Sequence, residues 1–243
     1  FRTNSEIMPD LILRYIYYDL TVNGELIPVK SISGFWTLIA NVPSKRQAEL
    51  LVKELNNPNT FNRKHRVPTL AADQKDYNHQ GYWTGGVWSP TNTMIIRGLE
   101  KYGYDSLAHK IAMNHLESVT DVYLKTGTFW ENYAADSLIR GEQSVKDFVG
   151  WTGITPIMYL IEYAIGLKPN SSKNELVWNI SSTKRCGLRN LRFNSHTTSL
   201  IANPTDNGMT INIISDGEYN LKIKYKGILT NKKVKPGENI III

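Results

Sequence analysis

The chain has 243 residues, 41% apolar and 21% charged: enough apolar content to bury a core in one large domain or two modest ones, and too little charge for a disordered segment. The net charge of +6 is dispersed, with short clusters at Arg63-Lys64-His65-Arg66 and Lys232-Lys233, which favours a solvated surface over a nucleic-acid footprint. The single cysteine, Cys186, excludes an intrachain disulfide, and no apolar run approaches the ~20 residues of a transmembrane helix.

Residues 14–30 alternate around Asn23-Gly24, a hairpin signal. Gly34 to Val42 is apolar all round and reads as a buried helix ended by Pro43. Ser44 then caps a second helix, and Gln47 three positions on completes a capping box. Ala48, Leu51, Val52 and Leu55 form its apolar stripe. Residues 56–89 make a long connection rich in Asn, Pro, Gly and aromatics. A loop longer than about 15 residues inside a compact domain is usually functional or disordered, and the aromatics argue for function.

Ser89-Pro90 opens the next helix, with Ser89 expected as the N-cap and Pro90 in the first turn. It runs to Gly103. A further helix follows Asp105 and ends near Thr126-Gly127, so that the short turn at 102–105 makes an αα-hairpin. Residues 127–151 return to loop. Thr152 to Gly166 is apolar nearly all round, which predicts a helix inside a larger helical assembly. After residues 167–172 the period becomes two. Leu176, Trp178 and Ile180 alternate, then Met209, Ile211 and Ile213, then Tyr219, Leu221, Ile223 and Tyr225, and Ile240 to Ile243 form a last strand. Residues 173–243 are therefore expected to be a small antiparallel β-sandwich behind a helical domain ending near residue 168.

Four of the six tryptophans, Trp83, Trp88, Trp130 and Trp151, fall between Gly81 and Gly153 in glycine-rich, non-periodic sequence. Glu131 is the carboxylate embedded among aromatics there. Aromatic faces stack on pyranose rings, and a carboxylate among them suits acid/base chemistry on a sugar. Asp147 reads as a capping or bridging residue. His79 and His115 are not spaced as metal ligands, and Gly85-Gly86 lacks the following lysine of a phosphate loop, so neither a metal nor a cofactor is expected.

The order of five motifs resembles the C-terminal half of an (α/α)6-barrel glycoside hydrolase. The group is that of the processing α-glucosidases and mannosylglycerate hydrolases, related more distantly to trehalases. The motifs are Gly34-Phe35-Trp36-Thr37-Leu38, Val67-Pro68-Thr69-Leu70, Tyr82-Trp83 with Gly86-Val87-Trp88-Ser89-Pro90-Thr91-Asn92, Trp130-Glu131-Asn132-Tyr133, and Phe148-Val149-Gly150-Trp151. They span roughly residues 31–166. The resemblance implies a mostly α chain, a partial six-hairpin toroid with a β-sandwich appended. It implies Glu131 as the general base of an inverting reaction. Tyr82, Trp83 and Trp88 correspond to sugar-binding aromatics, with Trp130, Tyr133 and Trp151 as weaker candidates. The family form carries arginine where this chain has Thr84. Its general acid is an aspartate in a W-D-N-type segment, and neither Asp10 nor Asp19 has that context. The chain is therefore expected to be a piece of a longer protein that lacks the acid. Its expected partners are a glycoside or oligosaccharide and the N-terminal half of the barrel, with no nucleic acid and no membrane, in a bacterial secreted or periplasmic setting rather than the cytoplasm. The alternative is a non-catalytic carbohydrate-binding module, which has no need of Glu131.

Overall fold

The computed structural model describes residues 16–243, which divide into two compact units, one reaching to Pro156 and the other running from Ile157 to Ile243. The expected hairpin is present as β1 (Asp19–Leu20) paired with β2 (Leu26–Ile27), with Gly24 in the left-handed region at φ +84°. Residues 14 and 15 of that expectation lie outside the described residues.

The apolar segment from Gly34 is helical only over its first turn. Helix α1 covers Ser33–Trp36. Beyond it, the Thr37 hydroxyl donates to the Gly34 carbonyl at 2.8 Å and Leu38 N bonds back three residues to Phe35 O. Asn41 turns left-handed at φ +57°. These tightened turns still bury Phe35 and Leu38 completely, and Phe35 meets Phe61 edge-on at 4.8 Å.

Helix α2 (Lys45–Leu55) starts as its sequence requires. The Ser44 side chain accepts from Gln47 N, and Gln47 Oε1 accepts from Ser44 N at 2.9 Å. Ala48, Leu51 and Leu55 are buried on one face. Substituting Ser44 by alanine is expected to lower the stability of this unit by about 1 kcal/mol. A urea titration reads it directly, and an unchanged midpoint would contradict the capping assignment.

Helix α3 (Ser89–Lys101) and helix α4 (Asp105–Thr126) form the expected antiparallel hairpin, with Gly103 at φ +79° in the turn and Gly127 closing α4 at φ +71°. Gly98 sits mid-helix at a cost of roughly 1 kcal/mol against alanine. Its reason is proximity: a Cβ there would lie 2.6 Å from Leu38 Cβ, so the glycine lets α3 approach the turns after α1.

Ser89 is a correction. It is the first helical residue rather than the N-cap, and Trp88 takes the cap position with no side-chain hydrogen bond. The Ser89 hydroxyl is engaged elsewhere, as described below. The basic cluster at 63–66, expected as a solvated surface, is solvated only in part, with Lys64 exposed. Arg63 pairs with Asp136 at 2.6 Å, while His65 and Arg66 are buried. The Arg66 guanidinium donates to the Leu55 carbonyl at the C-terminal end of α2 (3.0 Å), where a cation complements the helix dipole.

The second unit is a pair of four-stranded sheets, in the orders β10-β7-β6-β5 and β3-β4-β8-β9. Its strands are β3 (Leu167–Asn170), β4 (Glu175–Ile180), β5 (Cys186–Phe193), β6 (His196–Thr205), β7 (Gly208–Ser215), β8 (Tyr219–Tyr225), β9 (Ile228–Val234) and β10 (Gly237–Ile242). Of the alternating residues named from sequence, Leu176, Trp178, Ile180, Met209, Ile211, Ile213, Tyr219, Leu221 and Ile223 are buried in its core, and Tyr225 is partly buried against it. Two expectations change. Strands begin at Leu167, and β4 pairs with β8 in parallel, Glu175 opposite Asn220, so one sheet is mixed. The segment before it, Thr155–Ile165, is a wide π-type helix preceded by a 3-10 turn at Trp151–Gly153. Tyr159 and Tyr163 are buried, but Ile157 and Leu160 are exposed, so this helix is not enclosed on all sides. Among the described residues helix makes up 30% and strand 29%, so the expected mostly α class is not confirmed.

Candidate active site

The two long connections, 56–89 and 127–151, are irregular but tied together. Val87 and Tyr133 exchange backbone hydrogen bonds of 2.8 and 3.0 Å, and Thr69 N donates to Gly86 O at 3.0 Å. Trp130 bridges Lys146, and Tyr133 bridges Arg140. Gly85 has φ +151°, and a Cβ there would meet the Asn78 carbonyl at 2.3 Å, so the turn tolerates no side chain. These ties bring the tryptophan-rich motifs, distant in sequence, into one cluster.

Glu131 lies at its centre and is only 5% exposed. Its backbone is held on both sides. Its N–H donates to Val145 O at 3.0 Å, and its carbonyl accepts from Trp151 Nε1 at 3.2 Å. Thr152 secures the neighbouring peptide through a 2.8 Å bond from its hydroxyl to Trp130 O. The carboxylate is asymmetric. Oε1 accepts from the Tyr82 phenol at 2.6 Å, whereas Oε2 has no hydrogen-bond partner among the described residues. The phenol is pushed above its ordinary range, first by that bond to Glu131 and then by burial, so it stays a neutral donor.

The expected sugar-binding residues divide by position. Trp83 is 57% exposed and stacks on Trp88 with centroids 4.5 Å apart and planes 3° from parallel. Trp88 is 1% exposed, and its indole N–H donates to the Tyr82 carbonyl at 2.8 Å, so neither that face nor that donor is open to a ligand. Trp151 is 39% exposed and touches both Trp88 and Phe148. Trp130 and Tyr133 point into a different cluster, packed with Val119, Val122, Phe129 and Leu138. The Trp130 indole N–H donates to Thr126 Oγ1 at 3.1 Å, and Arg140 lies over its ring at 5.1 Å. Tyr133 is buried, which pushes its phenol to about 12, and its oxygen accepts from Trp130 N at 3.2 Å. Thus Tyr82, Trp83, Trp88 and Trp151 gather with Glu131, while Trp130 and Tyr133 brace the irregular segment that carries it. Thr84 is exposed beside Trp83. Asp147, left-handed at φ +56°, accepts from Thr128 at 2.5 Å and so bridges its loop.

Sequence reasoning missed what stands behind Tyr133. His65 and His115 are fully buried and joined by a 2.7 Å hydrogen bond between His65 Nε2 and His115 Nδ1. His115 Nε2 continues to Ser89 Oγ and Ser89 Oγ to Thr155 Oγ1, each at 2.9 Å. Both imidazoles pack against the Tyr133 ring. Burial depresses both, with His115 brought down to about 3 and His65 lowered further by its proximity to His115. Two neutral rings satisfy the contact, one donating and the other accepting. Fifty residues separate the pair, and no local pattern couples them. Among the described residues, no three His, Cys, Asp or Glu side chains converge as metal ligands.

The family model of the mannosylglycerate hydrolase MGH1-like glycoside hydrolase domain matches residues 14–138. An uncharacterised protein of Borreliella burgdorferi is 26% identical over 231 residues, which is 90% of this chain and 48% of that protein. The mannosylglycerate hydrolase of Thermus thermophilus is 32% identical over 102 residues, covering 42% of this chain and 24% of that enzyme. The chain thus spans less than half the length of these relatives. Among solved structures, an uncharacterised conserved protein of Thermus thermophilus is similar with a TM-score of 0.50 at 25% identity, over 58% of this chain and 34% of that one. The neutral trehalase of Saccharomyces cerevisiae shares the fold with a TM-score of 0.51 at 21% identity, over 61% of this chain and 26% of that one. The family model covers half of the chain and takes in the motifs from Gly34 through Tyr133, so the chain belongs to the MGH1-like glycoside hydrolases.

Proposed function

We propose that this chain supplies the base and the aromatic wall of an inverting glycosidase site for α-linked glucosides or related glycosides. Mannosylglycerate, for which several relatives are named, is one candidate. The observation that carries the reading is the asymmetric carboxylate of Glu131: buried, with Oε1 held and Oε2 without a protein donor among the described residues. A carboxylate so placed can accept a proton from a water. That water attacks the anomeric carbon from the face opposite the leaving group, whose oxygen takes a proton from a second carboxyl roughly 6.5–9.5 Å away. That second carboxyl is assigned to the part of the longer relatives that this chain does not span. Trp83 and Trp151 offer exposed ring faces to the sugar. Thr84 stands where the family form carries arginine, which removes a charged donor beside Trp83.

Proton NMR of the first turnover checks the stereochemistry. The full-length gene product acting on an α-glycoside is expected to release the β-anomer before mutarotation. A first-formed α-anomer would exclude inversion, and with it this role for Glu131.

A further inference from the structure

The aromatic set around Glu131 contains a division of labour that sugar binding alone does not explain. Tyr82 spends its one phenolic proton on Glu131 Oε1, at a distance typical of charge-assisted O–H···O bonds. It has no second proton for a sugar hydroxyl. Tyr82 is itself fixed: its carbonyl accepts the Trp88 N–H, and its ring stands edge-on to Trp88 at 4.6 Å and 89°. Trp88 in turn is capped by the stacked Trp83. On the other side, Val145 and Trp151 pin the Glu131 backbone, which leaves the rotation of the carboxylate about its own stem as the freedom still to be removed. One short bond to Oε1 removes it and decides which oxygen is left without a donor.

Resting on the reading of Glu131 as base, we propose that Tyr82 is a positioning residue that acts through Glu131, with Trp88 as its brace, and is not a sugar contact. The bond fixes the carboxylate plane: Oε1 is held, and the buried Oε2 is left as the acceptor without a donor among the described residues. Substrate affinity is then the work of the exposed Trp83 and Trp151.

Tyr82→Phe in the full-length enzyme keeps the ring and deletes only the donor. It is expected to lower kcat about 10- to 100-fold while KM stays within about 3-fold, since the lost interaction serves the transition state. A raised KM with unchanged kcat would overturn the proposal. Azide provides the second arm. In Glu131→Ala, azide can replace water as nucleophile: the C–N bond forms as the C–O bond breaks, the leaving oxygen is protonated by the enzyme's acid, and a glycosyl azide of inverted configuration results. Because Tyr82 acts through Glu131, the Tyr82→Phe, Glu131→Ala double variant is expected to match the azide-rescued rate of Glu131→Ala within about 2-fold. A further 10-fold loss would mean that Tyr82 touches substrate or water directly. Failure of the base reading itself shows elsewhere, as full turnover by Glu131→Ala without azide.

Discussion

Replacing Glu131 by glutamine is expected to lower kcat of the full-length enzyme by about 10³-fold, within the 10²- to 10⁴-fold range of general-base catalysis, with KM changed by less than about 3-fold. The substitution is unusually clean here. The amide oxygen can still accept from Tyr82, and the backbone ties to Val145 and Trp151 do not involve the side chain. What disappears is the basicity of the second oxygen. Steady-state kinetics on a panel of α-glucosides and mannosylglycerate reads the outcome. Unchanged turnover on every cleaved substrate would remove Glu131 from the reaction and return the cluster to a binding role.

The second large effect is acid unfolding of the first unit. His115 titrates near 6.5 in an unfolded chain but is brought down to about 3 by burial, and His65 is depressed in the same direction. Between those values the unfolded state binds more protons. Stability is therefore complete above about pH 6.5 and falls as pH drops toward 3. At 1.36 kcal/mol per pH unit, a depression of this size corresponds to a loss of roughly 5 kcal/mol from His115 alone. Denaturant midpoints followed by tryptophan fluorescence are expected to fall steadily from pH 6.5 to 4.5, and a flat profile there would refute the buried neutral pair. The double variant His65→Leu, His115→Leu is expected to lose most of that slope, since neither leucine can take up a proton.

The readable features of the sequence were those whose partners lie nearby along the chain. The capping box of Ser44 and Gln47 closes within one turn, and the turn at 102–105 joins two helices whose periodicity is local. The alternating strands bury the residues their period selects. Ser89 defeated the same reasoning because a distant partner won: the hydroxyl that a local rule assigns to helix capping bonds His115 and Thr155 instead. Trp88 was legible as an aromatic near a sugar site but not as a buried brace, because sequence does not report that Trp83 lies flat upon it. The helix expected from Gly34 to Val42 stopped at Trp36 because the side chain of Thr37 and the tight bond from Leu38 draw the backbone into turns. Within the site, Glu131 stood out by its neighbours in sequence, while its link to Tyr82, forty-nine positions away, is a product of the fold.

The parallel pairing of β4 with β8 has a kinetic consequence. Three strands, β5, β6 and β7, intervene between the two partners and all belong to the other sheet. As the chain leaves the ribosome, β4 has only β3 beside it and carries an open edge until β8 has been synthesised. Non-local closures of this kind slow folding, and an unpaired edge rich in Leu176, Val177, Trp178 and Ile180 is a template for association with other chains. The β5–β6–β7 meander, joined by consecutive antiparallel contacts, can form first. The second unit is thus expected to assemble from its middle outwards, with β4 exposed along one edge until β8 docks beside it.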